Sequence, residues 1–217
     1  MVDPKKPPEI FYTPPEIVQA PDPEEAPDVK KELWREVFSW ARTIILTLIL
    51  AFSINSFVIV NARVPTGSME DTIQVNDRIV AFRLSYLFRP PARYDIVVFR
   101  GPEGDPTLYV KRILGLPGDS LIIVNGHVYI NGSTEPQRHH FVKGEFIGNY
   151  GVYNAATGRL EPFIVPEGHF FVLGDYRTNS VDSRHERQWG QTFVPRDRIL
   201  GRVAFRYFPG FANLMNR

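Results

Sequence analysis

Residues 43–62, TIILTLILAFSINSFVIVNA, run for twenty positions without a charge. At about 1.5 Å of rise per residue, a helix of that length is about 30 Å long, the thickness of a bilayer's hydrocarbon core. Leu, Ile, Val and Phe dominate the run, and Asn55 and Ser56 are its main polar interruptions. A buried core helix is the competing reading, but an uncharged run this long favours a span. A cleaved signal peptide fits less well, since about forty residues precede the run and no Ala-x-Ala site closes it. Residues 37–62 are therefore predicted to form one transmembrane helix in a lipid bilayer. Lys30, Lys31, Arg35 and Arg42 crowd its N-terminal flank, against Arg63 on the other. That bias places residues 1–36 in the cytoplasm and 63–217 outside it.

Residues 1–27 are rich in proline and acid, as in Pro7-Pro8, Pro14-Pro15 and Asp22-Pro23-Glu24-Glu25-Ala26-Pro27. Few apolar groups are available there to bury, so a disordered tail with polyproline character is expected, followed by a helical juxtamembrane segment up to residue 36. After Arg63 the pattern changes to short β-branched runs: Arg78-Ile79-Val80-Ala81-Phe82, Asp95-Ile96-Val97-Val98-Phe99 and Leu108-Tyr109-Val110-Lys111-Arg112-Ile113-Leu114. Residues 121–124 and 127–130 flank Asn125-Gly126, a hairpin signal. Residues 170–173 and 199–207 complete the set. Strands at this spacing, with no long helices between them, predict a mainly β, antiparallel domain. The polar, glycine-containing stretch 133–162 reads as an insertion or small subdomain.

Composition removes several chemistries. With no cysteine, disulfides, thiolate metal sites and cysteine nucleophiles are excluded. A net charge of +1 gives no bulk attraction to nucleic acid. The five histidines show no HExxH-like spacing, and the adjacent His139 and His140 read as solvated loop rather than metal ligands.

Two segments carry possible chemistry. In Val64-Pro65-Thr66-Gly67-Ser68-Met69, proline and glycine bracket a turn that can present a hydroxyl. Serine needs a nearby base to act as a nucleophile, and a lone Gly-Ser turn is usually structural. Lys111 lies inside an apolar strand, with Tyr109 and Ile113 on its face at period two. Such a lysine either snorkels to water or is desolvated, and desolvation lowers its pKa enough to make a base. A third segment, Gly174-Asp175-Tyr176-Arg177-Thr178-Asn179-Ser180-Val181-Asp182-Ser183-Arg184, reads either as a polar loop closed by Asp–Arg pairs or as a shell that orients an amine.

Together these segments resemble bacterial signal peptidase I, a serine–lysine peptidase family. An apolar anchor leads into Pro65-Thr66-Gly67-Ser68-Met69. Arg93-Tyr94-Asp95-Ile96-Val97-Val98-Phe99 is similar to the family's Arg-Gly-Asp-Ile-Val-Val-Phe strand. Residues 109–119 are similar to its lysine block, and residues 174–184 to its Gly-Asp-Asn-Arg-x-Asn-Ser-x-Asp-Ser-Arg block. Trp189-Gly190 and Gly201-Arg202 fit the closing segment.

The resemblance implies a membrane-bound endopeptidase of signal-peptidase β fold that cuts signal peptides from exported preproteins. It implies Ser68 as nucleophile and Lys111 as general base. The Ser68 N–H and the Thr66 hydroxyl become the oxyanion hole, and Ser180 a hydrogen-bond partner of the amine. Asp175 with Arg112, and Asp182 with Arg184, become braces. Val64, Met69, Ile73, Tyr109 and Val110 become walls of shallow pockets for small residues at the first and third positions before the cut. No metal or organic cofactor is implied. The partners implied are preproteins, the bilayer of the bacterial inner membrane and a neighbouring export translocon. A related peptidase with one dedicated substrate, and a non-catalytic anchored β domain, are the alternatives. Asp71 stands where the family usually has proline, which loosens a turn and brings a carboxylate near the nucleophile; it is expected to face solvent. Ala62 replaces a larger apolar residue and is expected to widen the third-position pocket.

Overall fold

A computed structural model describes residues 29–133, 143–144 and 148–215. The expected disordered tail, and His139 and His140, fall outside the described residues, as does much of 133–162. Helix α1 covers Val29–Ser53, and none of its residues is buried. With the π-turn Ile54–Val58 it is the one described helix long and apolar enough to cross a membrane. The expected helical juxtamembrane segment and the start of the expected span 37–62 form one continuous helix from Val29. The far end stops at the polar interruption, Asn55 and Ser56. Beyond it, Ile59–Arg63 forms strand β1 with alternating burial, and Val60 enters the core. The β-branched Ile59 and Val60 suit a pleated surface as well as lipid, so an uncharged run hides where helix gives way to strand.

The other strands are β2 (Arg78–Phe82), β3 (Ile96–Arg100), β4 (Leu108–Gly115), β5 (Ser120–Val124), β6 (His127–Ile130), β7 (Val152–Asn154), β8 (Arg159–Glu161), β9 (Phe163–Ile164) and β10 (His169–Leu173). After the one-turn helix α2 (Glu186–Trp189) come β11 (Val194–Pro195), β12 (Ile199–Phe208) and β13 (Ala212–Asn213). One sheet runs β1-β2-β12-β3-β4-β10-β11, with β13 on β12. The strands β6-β5-β9 and β7-β8 form smaller sheets. All named pairs are antiparallel, including β3 with β4, where Val97 faces Lys111 and Ile96 faces Arg112. Asn125 and Gly126 take φ of 48° and 77°, the left-handed pair a two-residue hairpin needs, and Val124 pairs with His127.

Strand β3 is buried on both faces from Ile96 to Phe99, which explains its unbroken apolar run. One core cluster joins Val60, Val64, Met69, Ile73, Ile79, Ala81, Ile96 and Val98. It anchors the chain on both sides of the Gly67-Ser68 turn and so fixes where the hydroxyl emerges.

Candidate active site

The turn from Val64 to Ile73 is built by its own backbone. Val64 N–H donates to Asp77 O at 2.9 Å, and Asn76 N–H returns a bond to Val64 O at 2.7 Å. Glu70 N–H donates to Gly67 O at 3.0 Å, and Ile73 N–H to Met69 O at 2.8 Å. Met69 and Ile73 point into the core and are fully buried. Ser68 is left at the surface of that core, 7% exposed.

Lys111 lies on β4 and is 3% exposed. Its Nζ lies 2.6 Å from Ser68 Oγ. Burial lowers the Lys111 amine from 10.5 to about 8, against the opposing charges of Asp182 and Asp175 and with help from Arg184. Asp71 is exposed, and is not among the charges that move this amine. Its φ of 80° is one that a proline ring forbids.

The opposite face of β4 carries Arg112, which is fully buried. Its Nε donates to Asp175 Oδ1 at 2.8 Å and its Nη2 to Asp175 Oδ2 at 2.6 Å, a bidentate pair. The Thr72 hydroxyl donates to the same Asp175 Oδ2 at 2.6 Å, tying the nucleophile turn to the loop after β10. Arg112 Nη1 donates to Tyr94 O at 2.9 Å.

Arg184 forks onto Asp182, Nε to Oδ1 and Nη2 to Oδ2, both at 2.8 Å. Burial pushes the Asp182 carboxyl up, but Arg184, His185 and the Gly174 N–H outweigh it and hold it well below the usual range. Tyr176 N–H donates to Ser68 O at 3.0 Å. Gly174 has to be glycine for this approach: a Cβ there would come within 2.5 Å of Ser68 O and 2.2 Å of Ser180 Oγ.

The predicted residues do not all take their expected places. Ser180 is buried beside Gly174, but its Oγ makes no hydrogen bond among the described residues, so the bond expected to Lys111 is not formed. The short contact of the amine is with Ser68. A shallow cleft of about 70 Å³ opens over the pair, lined by Ala62, Val64, Thr66, Tyr109 and Val110 among others. Met69 and Ile73, expected as walls, do not line it. They lie beneath it in the core, because the turn directs their side chains inward. Gly174 and Tyr176 lie in the 174–184 block without a role of their own there, and Thr72 was not expected at the site at all. A larger apolar depression of about 270 Å³, between Ile122, Tyr129 and Pro162, contains no nucleophile paired with a base.

Comparison with known proteins shows the family. The family model described as "Signal peptidase, peptidase S26" matches residues 37–208. "Signal peptidase I" of Leptolyngbya laminosa is 37% identical over 175 residues, covering 77% of this chain and 78% of the relative. "Probable signal peptidase I-2" of Synechocystis sp. is 36% identical over 181 residues, covering 81% and 74%. "Signal peptidase I" of Pseudomonas aeruginosa is 29% identical over 224 residues, covering 90% and 77%. With its antiparallel β domain and its single N-terminal apolar helix, the chain belongs to the bacterial signal peptidase I family, and it is a serine endopeptidase.

Proposed function

We propose that this peptidase removes signal peptides from exported preproteins with Ser68 as nucleophile and Lys111 as general base. The observation that carries the reading is the 2.6 Å separation of Lys111 Nζ and Ser68 Oγ, with the amine buried. A neutral Nζ takes the Ser68 proton as Oγ attacks the scissile carbonyl. The resulting oxyanion faces the Ser68 N–H and the Thr66 hydroxyl. The ammonium then returns the proton to the leaving amine as the C–N bond breaks. Water, activated by the same amine, releases the acyl group and frees Ser68. Asp175 ties the loop to β4 through Arg112 and to the turn through Thr72, and Asp182–Arg184 braces the loop on itself. No step in this sequence calls for a metal or organic cofactor.

The pH profile tests the base. The amine must be neutral to accept a proton, so activity falls as pH drops below its pKa. With Lys111 lowered to about 8, kcat/KM rises through an apparent pKa near 8 and is flat above it. A limb at about 10.4, the value of a free lysine, would refute a desolvated base.

The cleft supports cleavage after small side chains. Val64, Tyr109 and Val110 offer apolar contact, and a charged residue at the first position before the cut would be desolvated with no partner. A large aromatic would clash with packed walls. Ala62 lines the cleft, which supports a more permissive third position. In a peptide series varied at either position, alanine, glycine and serine are cut at the first position and lysine and phenylalanine are not. Efficient cleavage after lysine or phenylalanine would sink the pocket assignment, and equal strictness at both positions would sink the role of Ala62.

The flanking lysines and arginines support a cytoplasmic N-terminus and a catalytic domain on the far side of the bacterial inner membrane, where preproteins emerge from a translocon. Protease added to spheroplasts should digest the C-terminal domain and spare an N-terminal tag; the reverse pattern would overturn this topology.

A further inference from the structure

Lys143 lies outside the motif blocks, yet it touches both the turn that carries Ser68, at Glu70, and the loop after β10, at residues 175–177. Its N–H donates to Asp175 O at 2.9 Å, and its carbonyl accepts from Arg177 N–H at 2.8 Å. This bridge to Tyr176 is in parallel register. The Lys143 Nζ pairs with Glu70 Oε2 at 2.9 Å and lies 4.8 Å from the centre of the Tyr176 ring.

Glu70 is two residues past Ser68. Its N–H closes the turn on Gly67 O, and its carboxylate packs against Gly67, where a Cβ would come within 2.5 Å of Oε1. The next residue, Asp71, holds a left-handed backbone at φ 80°, a region disfavoured for any residue with a side chain. Glu70 through its hydrogen bond, and Asp71 through its charge, both hold the Lys143 amine above its usual range. A proline ring cannot take this φ, so position 71 offers no proline that would stiffen the turn from within. Beside the turn's own backbone bonds and the Thr72–Asp175 tie, the Lys143–Glu70 pair adds a restraint from outside it.

We propose that Lys143 is a positioning residue. By clamping Glu70 against the Asp175–Arg177 backbone, it holds the turn 67–72 so that Ser68 Oγ stays within reach of Lys111. It touches neither substrate nor reacting atoms. The proposal rests on the reading of Ser68 as nucleophile, deepens it, and supplies a reason for the paired acids Glu70 and Asp71.

The test is steady-state cleavage of an uncharged peptide by the full-length chain in detergent. Lys143→Met should lower kcat about fivefold, the upper end for a half-exposed ion pair, with KM within twofold. Salt at 1 M, where screening reaches about 3 Å, should bring wild-type kcat towards the variant's and leave the variant's unchanged. Glu70→Lys combined with Lys143→Glu should recover more than half of the lost rate, whereas each single reversal should lose more than Lys143→Met. Wild-type kcat in Lys143→Met overturns the proposal, and so does a loss that the charge swap fails to recover. Ser68→Ala is assayed in parallel. If it retains activity, the nucleophile reading itself has failed; if it is inactive while Lys143→Met is unaffected, only the clamp has failed.

Discussion

With Ser68 and Lys111 as the proposed dyad, Ser68→Ala and Lys111→Ala should each abolish preprotein cleavage, and the double variant should be no worse than either. In the proposed mechanism the two groups pass one proton between them, so removing either leaves nothing for the other to do. The expected fall in kcat is about 10³-fold or more, since only binding and the oxyanion donors remain. Thr66→Val keeps the dyad but removes one such donor, and should cost about 10²-fold in kcat.

Unfolding would mimic the loss, and Lys111→Met separates the two. In the native protein burial lowers the amine from 10.5 to about 8. A lysine whose pKa is depressed by folding penalises the folded state fully below the folded pKa, and the penalty is relieved as pH rises from about 8 towards 10.5. That gap, at about 1.4 kcal/mol per pH unit, amounts to about 3 kcal/mol at neutral pH. Lys111→Met keeps the volume without the charge, so at pH 7 it should be inactive and more stable than the native chain in urea. At pH 10 the advantage should largely vanish. An inactive Lys111→Met that is less stable at pH 7 would mean that the amine is held by the fold rather than tolerated by it. Substantial activity in either alanine variant would remove the dyad.

The features legible in the chain were those with a local signature. Asn125-Gly126 marks its hairpin because only left-handed backbone closes a two-residue turn between twisted strands. Lys111 stands out because an amine in an apolar strand must be either snorkelled or desolvated. The uncharged run 43–62 was misleading at its end because β1 packs into protein with the same residues that suit lipid, and only pairing with β2 separates the two. Met69 and Ile73 are apolar and adjacent to the nucleophile, which makes them look like pocket walls; their inward direction follows from turn hydrogen bonds that composition does not encode. Thr72 and Asp175 are 103 positions apart, and Lys143 and Glu70 are 73 apart. No period or spacing predicts such pairs, since they come from folding two loops onto one sheet. Ser180 shows the converse: its motif is intact, but the direction of its hydroxyl is a tertiary fact.

Asp175→Ala should be the most destabilising polar substitution near the site. It leaves the Arg112 guanidinium fully buried, with Nε and Nη2 deprived of their carboxylate. Breaking a buried pair from one side costs about 3–5 kcal/mol, because the surviving charge loses its carboxylate and gains no water. Against a typical domain stability of about 5–15 kcal/mol, that is enough to move the urea midpoint far to the left. Replacing both partners is different. Arg112→Met with Asp175→Leu removes the stranded charge and fills the volume, so it should recover most of the loss. Its activity should stay low, because Thr72 has lost the acceptor that ties the turn to the loop. The folded fraction of Asp175→Ala offers a second readout. Asp175 raises the Lys111 amine, so its removal should move the acidic limb of the pH–rate profile downward. A midpoint within about 1 kcal/mol of wild type would show that the pair contributes little to the fold. An unmoved limb would show that Asp175 acts on the turn alone and not on the base.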